Sequence, residues 1–279
     1  LTGKMYHRFF NGIQFDNILL ETDNDRFLLL NTTRKDNGQF YGKVFGKAKM
    51  SITGTQDNML MDITGEPSQT DSSHVYIVSG NSIEQDNINY IDFVQFGTAI
   101  DDKYKSQSAA NVLVRMGLTA NPFCKVDVIL DEATGDIVKG TGNGYLDIKV
   151  GNKEDLTING RYDITEGEYT FNFQTILKKF FKVNSGSLVW SGNPLTPRID
   201  IKAEYVATQV DLKTLSVGGN GTLTTSGSYN QKSDVRILAN LTETLDKPKI
   251  DFDIKLPAGS NPDFLIVKRL EQFNQDENE

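Results

Sequence analysis

Residues that could do chemistry are few and scattered in this chain of 279. Gly140-Thr141-Gly142-Asn143-Gly144 has the glycine density of a loop that cradles phosphate. Such a loop opens a helix and carries a lysine, whereas here a strand pattern follows and the lysine is missing, so that reading is rejected. Asp23-Asn24-Asp25, and Asp131 with Asp136, resemble fragments of calcium loops. Neither has the spacing of a full ligand set, and both read as acidic turns. Asp251 with Asp253, and Asp200 with Glu204, are spaced like paired carboxylates for acid–base work. Each pair falls on the polar parity of its strand, which makes it a solvated face. His7 and His74 lie far apart in sequence and there is no Gly-x-Ser-x-Gly, which argues against a hydrolase triad. Cys124 is the one cysteine, so no internal disulfide forms, and without a basic neighbour it reads as a passive thiol. The expectation is a protein that is not an enzyme and has no metal or cofactor.

The elements that would position such groups are strands. Tyr162-Asp163-Ile164-Thr165-Glu166-Gly167-Glu168-Tyr169-Thr170-Phe171 and Phe181-Lys182-Val183-Asn184-Ser185-Gly186-Ser187-Leu188-Val189-Trp190 repeat one pattern. Large apolar residues sit two apart before each glycine and resume with the opposite parity after it. Two-residue hairpin turns at Glu166-Gly167 and Ser185-Gly186 account for the switch. They predict Tyr162 opposite Phe171, Ile164 opposite Tyr169, Phe181 opposite Trp190 and Val183 opposite Leu188.

Alternation runs through the rest. Phe40, Val44, Ala48, Met50 and Ile52 share one parity, as do Met59, Met61 and Ile63 after the turn at Gln56-Asp57. Val112, Val114 and Met116 follow, then Val126, Val128 and Leu130, a turn at Ala133-Thr134-Gly135, and Leu146, Ile148 and Val150. Ile199, Ile201, Ala203 and Tyr205 alternate, and so do Ile250, Phe252, Ile254 and Leu256. This is the period of a strand with one dry and one wet face. One helix is convincing, starting at Asn261-Pro262 with Phe264, Val267, Leu270 and Phe273 along one side. A short helix is sketched at 101–110, and 217–232 reads as a loop.

About sixteen to twenty half-apolar strands with so little helix form an all-β protein. The one-faced sheet must fold on another sheet, close into a barrel, or curl and leave an apolar channel. Close spacing favours a continuous antiparallel meander, and periodicity alone leaves a two-sheet sandwich open. The net charge of −8 argues against nucleic acid and against adsorption on anionic headgroups. No run approaches the ~18 apolar residues of a membrane span. The start at Leu1 and the charged tail are those expected of a piece of a longer protein.

Four strings carry a family resemblance: Gly-Asn-Gly-Tyr-Leu-Asp-Ile from Gly142, Gly-Arg-Tyr-Asp-Ile-Thr-Glu-Gly-Glu-Tyr-Thr-Phe from Gly160, Gly-Ser-Leu-Val-Trp-Ser-Gly-Asn-Pro from Gly186, and Arg-Ile-Asp-Ile-Lys-Ala-Glu-Tyr from Arg198. Leu245-Asp246-Lys247-Pro248-Lys249-Ile250-Asp251-Phe252 and the segment after Pro262 fit as well. Together they resemble the TamB C-terminal domain family, the translocation and assembly modules of diderm bacteria in the AsmA-like group. Trp190 before Ser-Gly-Asn-Pro is similar to the version in Bacteroidota. Residues 1 to about 100 match as generic β repeats of that family.

The resemblance implies an elongated curved antiparallel meander, a β-taco, with an apolar inner groove and a short C-terminal helix. It implies residues 1–100 as repeats continuing the taco, 101–257 as its C-terminal part and 258–279 as a helical tail. It further implies a periplasmic location, an inner-membrane anchor on a helix outside this chain, and an outer-membrane Omp85 barrel as partner, TamA or a lipoprotein counterpart. Phospholipid is the implied cargo. On that reading the groove wall comprises Val128, Leu146, Ile148, Ile158, Tyr162, Ile164, Tyr169, Phe171, Phe181, Val183, Leu188, Trp190, Ile199, Ile201, Ile250, Phe252 and Ile254. Templating of client strands at exposed sheet edges during outer-membrane protein assembly is the alternative.

Overall fold

The computed structural model of the chain describes residues 1–9, 11–79, 94–95, 98–99, 111–152, 154–173, 177–211, 232–256, 268 and 271. The described residues form sixteen strands in chain order. They are β1 (Thr2–Arg8), β2 (Asn11–Glu21), β3 (Phe27–Thr32), β4 (Phe40–Thr55), β5 (Asn58–Pro67), β6 (Ser73–Val78), β7 (Val94–Gln95) and β8 (Thr98–Ala99). There follow β9 (Asn111–Ala120), β10 (Cys124–Asp131), β11 (Asp136–Gly151), β12 (Thr157–Phe173), β13 (Leu177–Gly192), β14 (Arg198–Asp211), β15 (Lys232–Thr244) and β16 (Lys247–Lys255). Of the expected C-terminal helix only Lys268 and Glu271 are described, both helical; the rest lies outside the described residues. So do 101–110 and all of 217–232 except Lys232.

Fourteen strands form one sheet, and β7 and β8 pair separately. The sheet follows the order β1-β2-β4-β5-β9-β11-β12-β13-β14-β15-β16, while β3, β6 and β10 lie beside that path. The register explains these three. Glu21 of β2 stands opposite Lys49 and Phe27 of β3 opposite Gly46, so β3 continues the column of β2 along β4. Pro67 of β5 and His74 of β6 follow each other along the opposite edge of β4. Ala120 of β9 and Lys125 of β10 do the same along β11, opposite Gly144 and Thr141. The architecture is therefore all-β, a single large curved sheet dominated by antiparallel pairs. The β5–β9 and β6–β10 pairs run parallel, a departure from the pure meander.

The interruptions fall on one transverse seam. Side chains clip it: the Ser68 hydroxyl donates to Asp25 Oδ2 at 3.1 Å, and Asn121 Nδ2 donates to Pro67 O at 2.8 Å. Further along, the seam passes through unbroken strands as bulges. The β11–β12 register shifts between Thr141 and Gly142, and the β13–β14 register between Val183 and Ser185.

These bulges overturn the two expected hairpin turns. Glu166-Gly167 lies inside the 17-residue β12, and Ser185-Gly186 inside the 16-residue β13. An extra residue in a strand flips the faces of everything after it, as a two-residue turn would. The repeated segments are instead neighbouring antiparallel strands. Tyr162 stands opposite Leu188, Gly160 opposite Trp190 and Tyr169 opposite Phe181. Tyr162, Ile164, Tyr169, Phe171, Phe181, Val183, Leu188 and Trp190 still share one face.

Bending at the seam brings backbones close, and two glycines permit it. A Cβ on Gly46 would sit 2.1 Å from Glu66 O, and one on Gly142 2.0 Å from Asp163 O. Curvature then returns the C-terminal strands over the middle of the sheet. The Ser79 hydroxyl, just past β6, donates to Leu245 O at 2.9 Å. The Phe252 ring of β16 lies 5.1 Å from Phe171 of β12 and 6.0 Å from Phe181 of β13. On the outer face Lys139, Glu168, Lys182 and Glu204 alternate in charge across four adjacent strands, each opposite the next.

Gly142→Ala is expected to destabilise the chain by about 1–3 kcal/mol, because the added carbon meets backbone rather than a movable side chain. Gly38→Ala, with nothing within 4 Å of the new carbon, should stay within about 0.5 kcal/mol. Thermal and urea melts of the two variants check this.

Candidate functional site

The apolar face has an open part and a covered part. In the open part, residues directly opposite one another across adjacent strands share a face. One such row runs Leu20, Met50, Ile63, Met116, Ile148, Ile158 through β2, β4, β5, β9, β11 and β12. A second runs Ile18, Ile52, Met61, Val114, Val150. Of these only Val150 is buried, and the rest are half-buried. At ~4.8 Å per strand the first row makes an apolar strip about 24 Å long.

In the covered part Val128, Tyr162, Ile164, Tyr169, Phe181, Val183, Leu188, Trp190, Ile199 and Ile201 are buried in one cluster. Leu146, Ile158, Phe171, Ile250 and Phe252 pack against it half-buried. Ile148 and Ile254 are half-buried outside that cluster. The residues expected to form a groove wall thus lie on one continuous face. Its C-terminal portion is roofed by Ala239, Leu241, Leu245, Ile250 and Phe252 from β15, β16 and the turn between them. Tyr169, Leu188 and Ile201 have no exposed surface.

Sequence reading missed two groups. Met50, Met61, Ile63, Val114 and Met116 alternate visibly, but only the parallel β5–β9 pairing aligns them with Ile148. Val126, Leu130, Val138 and Ala203 complete the covered cluster, and their parity was the available signal.

Polar groups inside are sparse. The Trp190 indole donates to Pro194 O at 3.2 Å. The hydroxyls of Tyr162 and Tyr169 are buried with no hydrogen-bond partner among the described residues. Burial raises both phenol pKa values, helped by Cys124 near Tyr162 and by Asp136 near Tyr169. Burial also pushes the Cys124 thiol up to about 11. The Asp136 carboxyl is raised by burial, against hydrogen bonds from Asn172 N and the Thr134 hydroxyl. It borders a cavity of about 480 Å³ at the rim of the covered part, between the β10–β11 turn and Pro248 and Ile250.

Three of the four carboxylates spaced for acid–base work have cation partners instead. Asp251 pairs with Lys249 at 3.1 Å and Asp253 with Lys255 at 2.8 Å. Glu204 bonds Arg236, which lowers its pKa. Among the described residues no three His, Cys, Asp or Glu side chains converge on a metal position, and no helix is long and apolar enough to cross a membrane.

A family model, the TamB C-terminal domain, matches residues 1–275. No curated protein matches the chain.

Because Tyr162 and Cys124 are harder to ionise folded than unfolded, the unfolded chain loses these protons first. Stability from these groups is complete below their ordinary values, 10.0 for Tyr162 and 9.0 for Cys124, and is lost as pH rises further. Melting temperature should therefore fall between about pH 9 and pH 11. A Cys124→Ala, Tyr162→Phe variant should lose less over that interval, as read by circular dichroism.

Proposed function

The chain belongs to the TamB C-terminal domain family, and from that premise we propose that it conducts phospholipid acyl chains along its apolar face. Membership gives it a role in translocation, assembly or lipid transport at the cell envelope. Our finer reading is a periplasmic bridge, anchored in the inner membrane by another part of the polypeptide and meeting an outer-membrane Omp85 barrel. We assign it no catalytic step.

One observation carries the reading: the half-buried strip from Leu20 to Ile158, contributed by six adjacent strands. A wall for acyl chains needs continuous apolar surface and few directional contacts. Each methylene buried against it gains about 0.8 kcal/mol, so a long chain is held without hydrogen bonds yet slides between equivalent positions. On this reading β2, β4, β5 and β9, with the adjoining halves of β11 and β12, carry the open groove. The strands from β10 to β16 form its covered end, where β15 and β16 must lift before a lipid reaches Tyr169 or Leu188.

A second reading draws on a different observation. All seven residues of β1 are exposed, and among the described residues β1 pairs only with β2. Such an edge is a template for a client strand during outer-membrane protein assembly.

A photo-crosslinker at Ile63 or Met116 should capture phospholipid, while one at Arg115, on the opposite face beside Asp62, should capture little. Met116→Arg should lower the adducts formed at Ile63 at least about tenfold, since an unpaired charge in an apolar strip costs more than 1.4 kcal/mol. Equal capture from both faces, or adducts with unfolded outer-membrane proteins and none with lipid, would favour the edge reading.

A further inference from the structure

The covered cluster contains a chemical oddity that packing does not require. Tyr162 is 4 % exposed and Tyr169 0 %, and neither hydroxyl has a partner among the described residues. Their neighbours on the same face, Phe171 and Phe181, fill space without a polar atom. Leaving a buried hydroxyl unbonded carries a desolvation penalty larger than the net gain of an ordinary hydrogen bond, so phenylalanine would serve a permanently dry core better. The ionisable side chain that acts on the Tyr162 phenol is the Cys124 thiol, a weak hydrogen-bonding group. For the Tyr169 phenol it is Asp136, whose oxygens accept from Asn172 N at 2.7 Å and from the Thr134 hydroxyl at 3.0 Å.

We propose that Tyr162 and Tyr169 are the polar contacts for lipid inside the covered end, each hydroxyl donating to an ester carbonyl oxygen of a glycerolipid. The inference rests on the lipid-conduit reading above and names the part of the lipid this end recognises. The acceptor must be neutral and flanked by hydrocarbon. No lysine, arginine or histidine is buried among the described residues, so a phosphate would enter without a counter-charge. An ester carbonyl carries no charge and sits at the head of an acyl chain that can lie against Val128, Val138 and Phe181. Entry requires Phe252 to leave its ring contacts with Phe171 and Phe181, which lifts β16 from β12 and β13.

The test uses the full chain stripped of lipid and incubated with vesicles of a diester phosphatidylcholine or of its diether analogue with identical alkyl chains. Lipid retained after re-purification is counted by mass spectrometry. The wild-type chain should retain the diester over the diether by about fivefold, the difference one hydrogen bond makes. Tyr162→Phe and Tyr169→Phe should keep or raise the melting temperature, and the double variant should bring the ratio close to one. Equal retention of both lipids by the wild type, or a preference that survives the double variant, overturns the proposal and leaves the conduit reading standing. Retention of neither lipid overturns both.

Discussion

A sheet that is apolar along one whole face has to hide that face or put it to use. Here the only material available to cover it, among the described residues, is the sheet itself. Its C-terminal strands curl back, and Leu241, Leu245, Ile250 and Phe252 come down on β10 to β13. Two strands roof only part of the sheet. The face of β2, β4, β5 and β9 keeps its methionines and isoleucines half-open, and any function has to reckon with that exposed strip.

The curl depends on the seam. A 16- or 17-residue strand crosses the full width of the sheet and has to bend on the way. Bending shifts register, and register decides which side chains face inward. The chain meets this by placing breaks and bulges at the same level in adjacent columns. Both halves of each strand therefore keep their apolar residues on the same side. Gly46 and Gly142 let the backbones approach at that level, and the Ser68 and Asn121 side chains occupy polar backbone groups where the ladder is interrupted. A seam shared by so many columns also keeps the floor of the groove continuous from one strand to the next.

Parity made much of this legible in the sequence. It assigned Tyr162, Ile164, Tyr169, Phe171, Phe181, Val183, Leu188 and Trp190 to one face correctly. It misassigned the cause, because a bulge and a two-residue turn both reverse parity. The difference lies in what the neighbouring strand does, and no local pattern states that. The same limit hid the division into open and covered parts. Phe252 covers Phe171 across eighty-one residues of chain, and Met61 aligns with Val114 through a parallel pairing with no turn to announce it. The family strings from Gly142 onward pointed to a curved β-sheet, and the family match extends over residues 1–275.

The most direct test is to purify the chain from lipid-rich lysate without detergent and weigh what accompanies it. Native mass spectrometry should find intact phospholipid bound to the folded chain, released when the protein unfolds. A folded chain that emerges free of lipid, although phospholipid was present in excess throughout, would mean that the open strip between Leu20 and Ile158 serves something other than acyl chains.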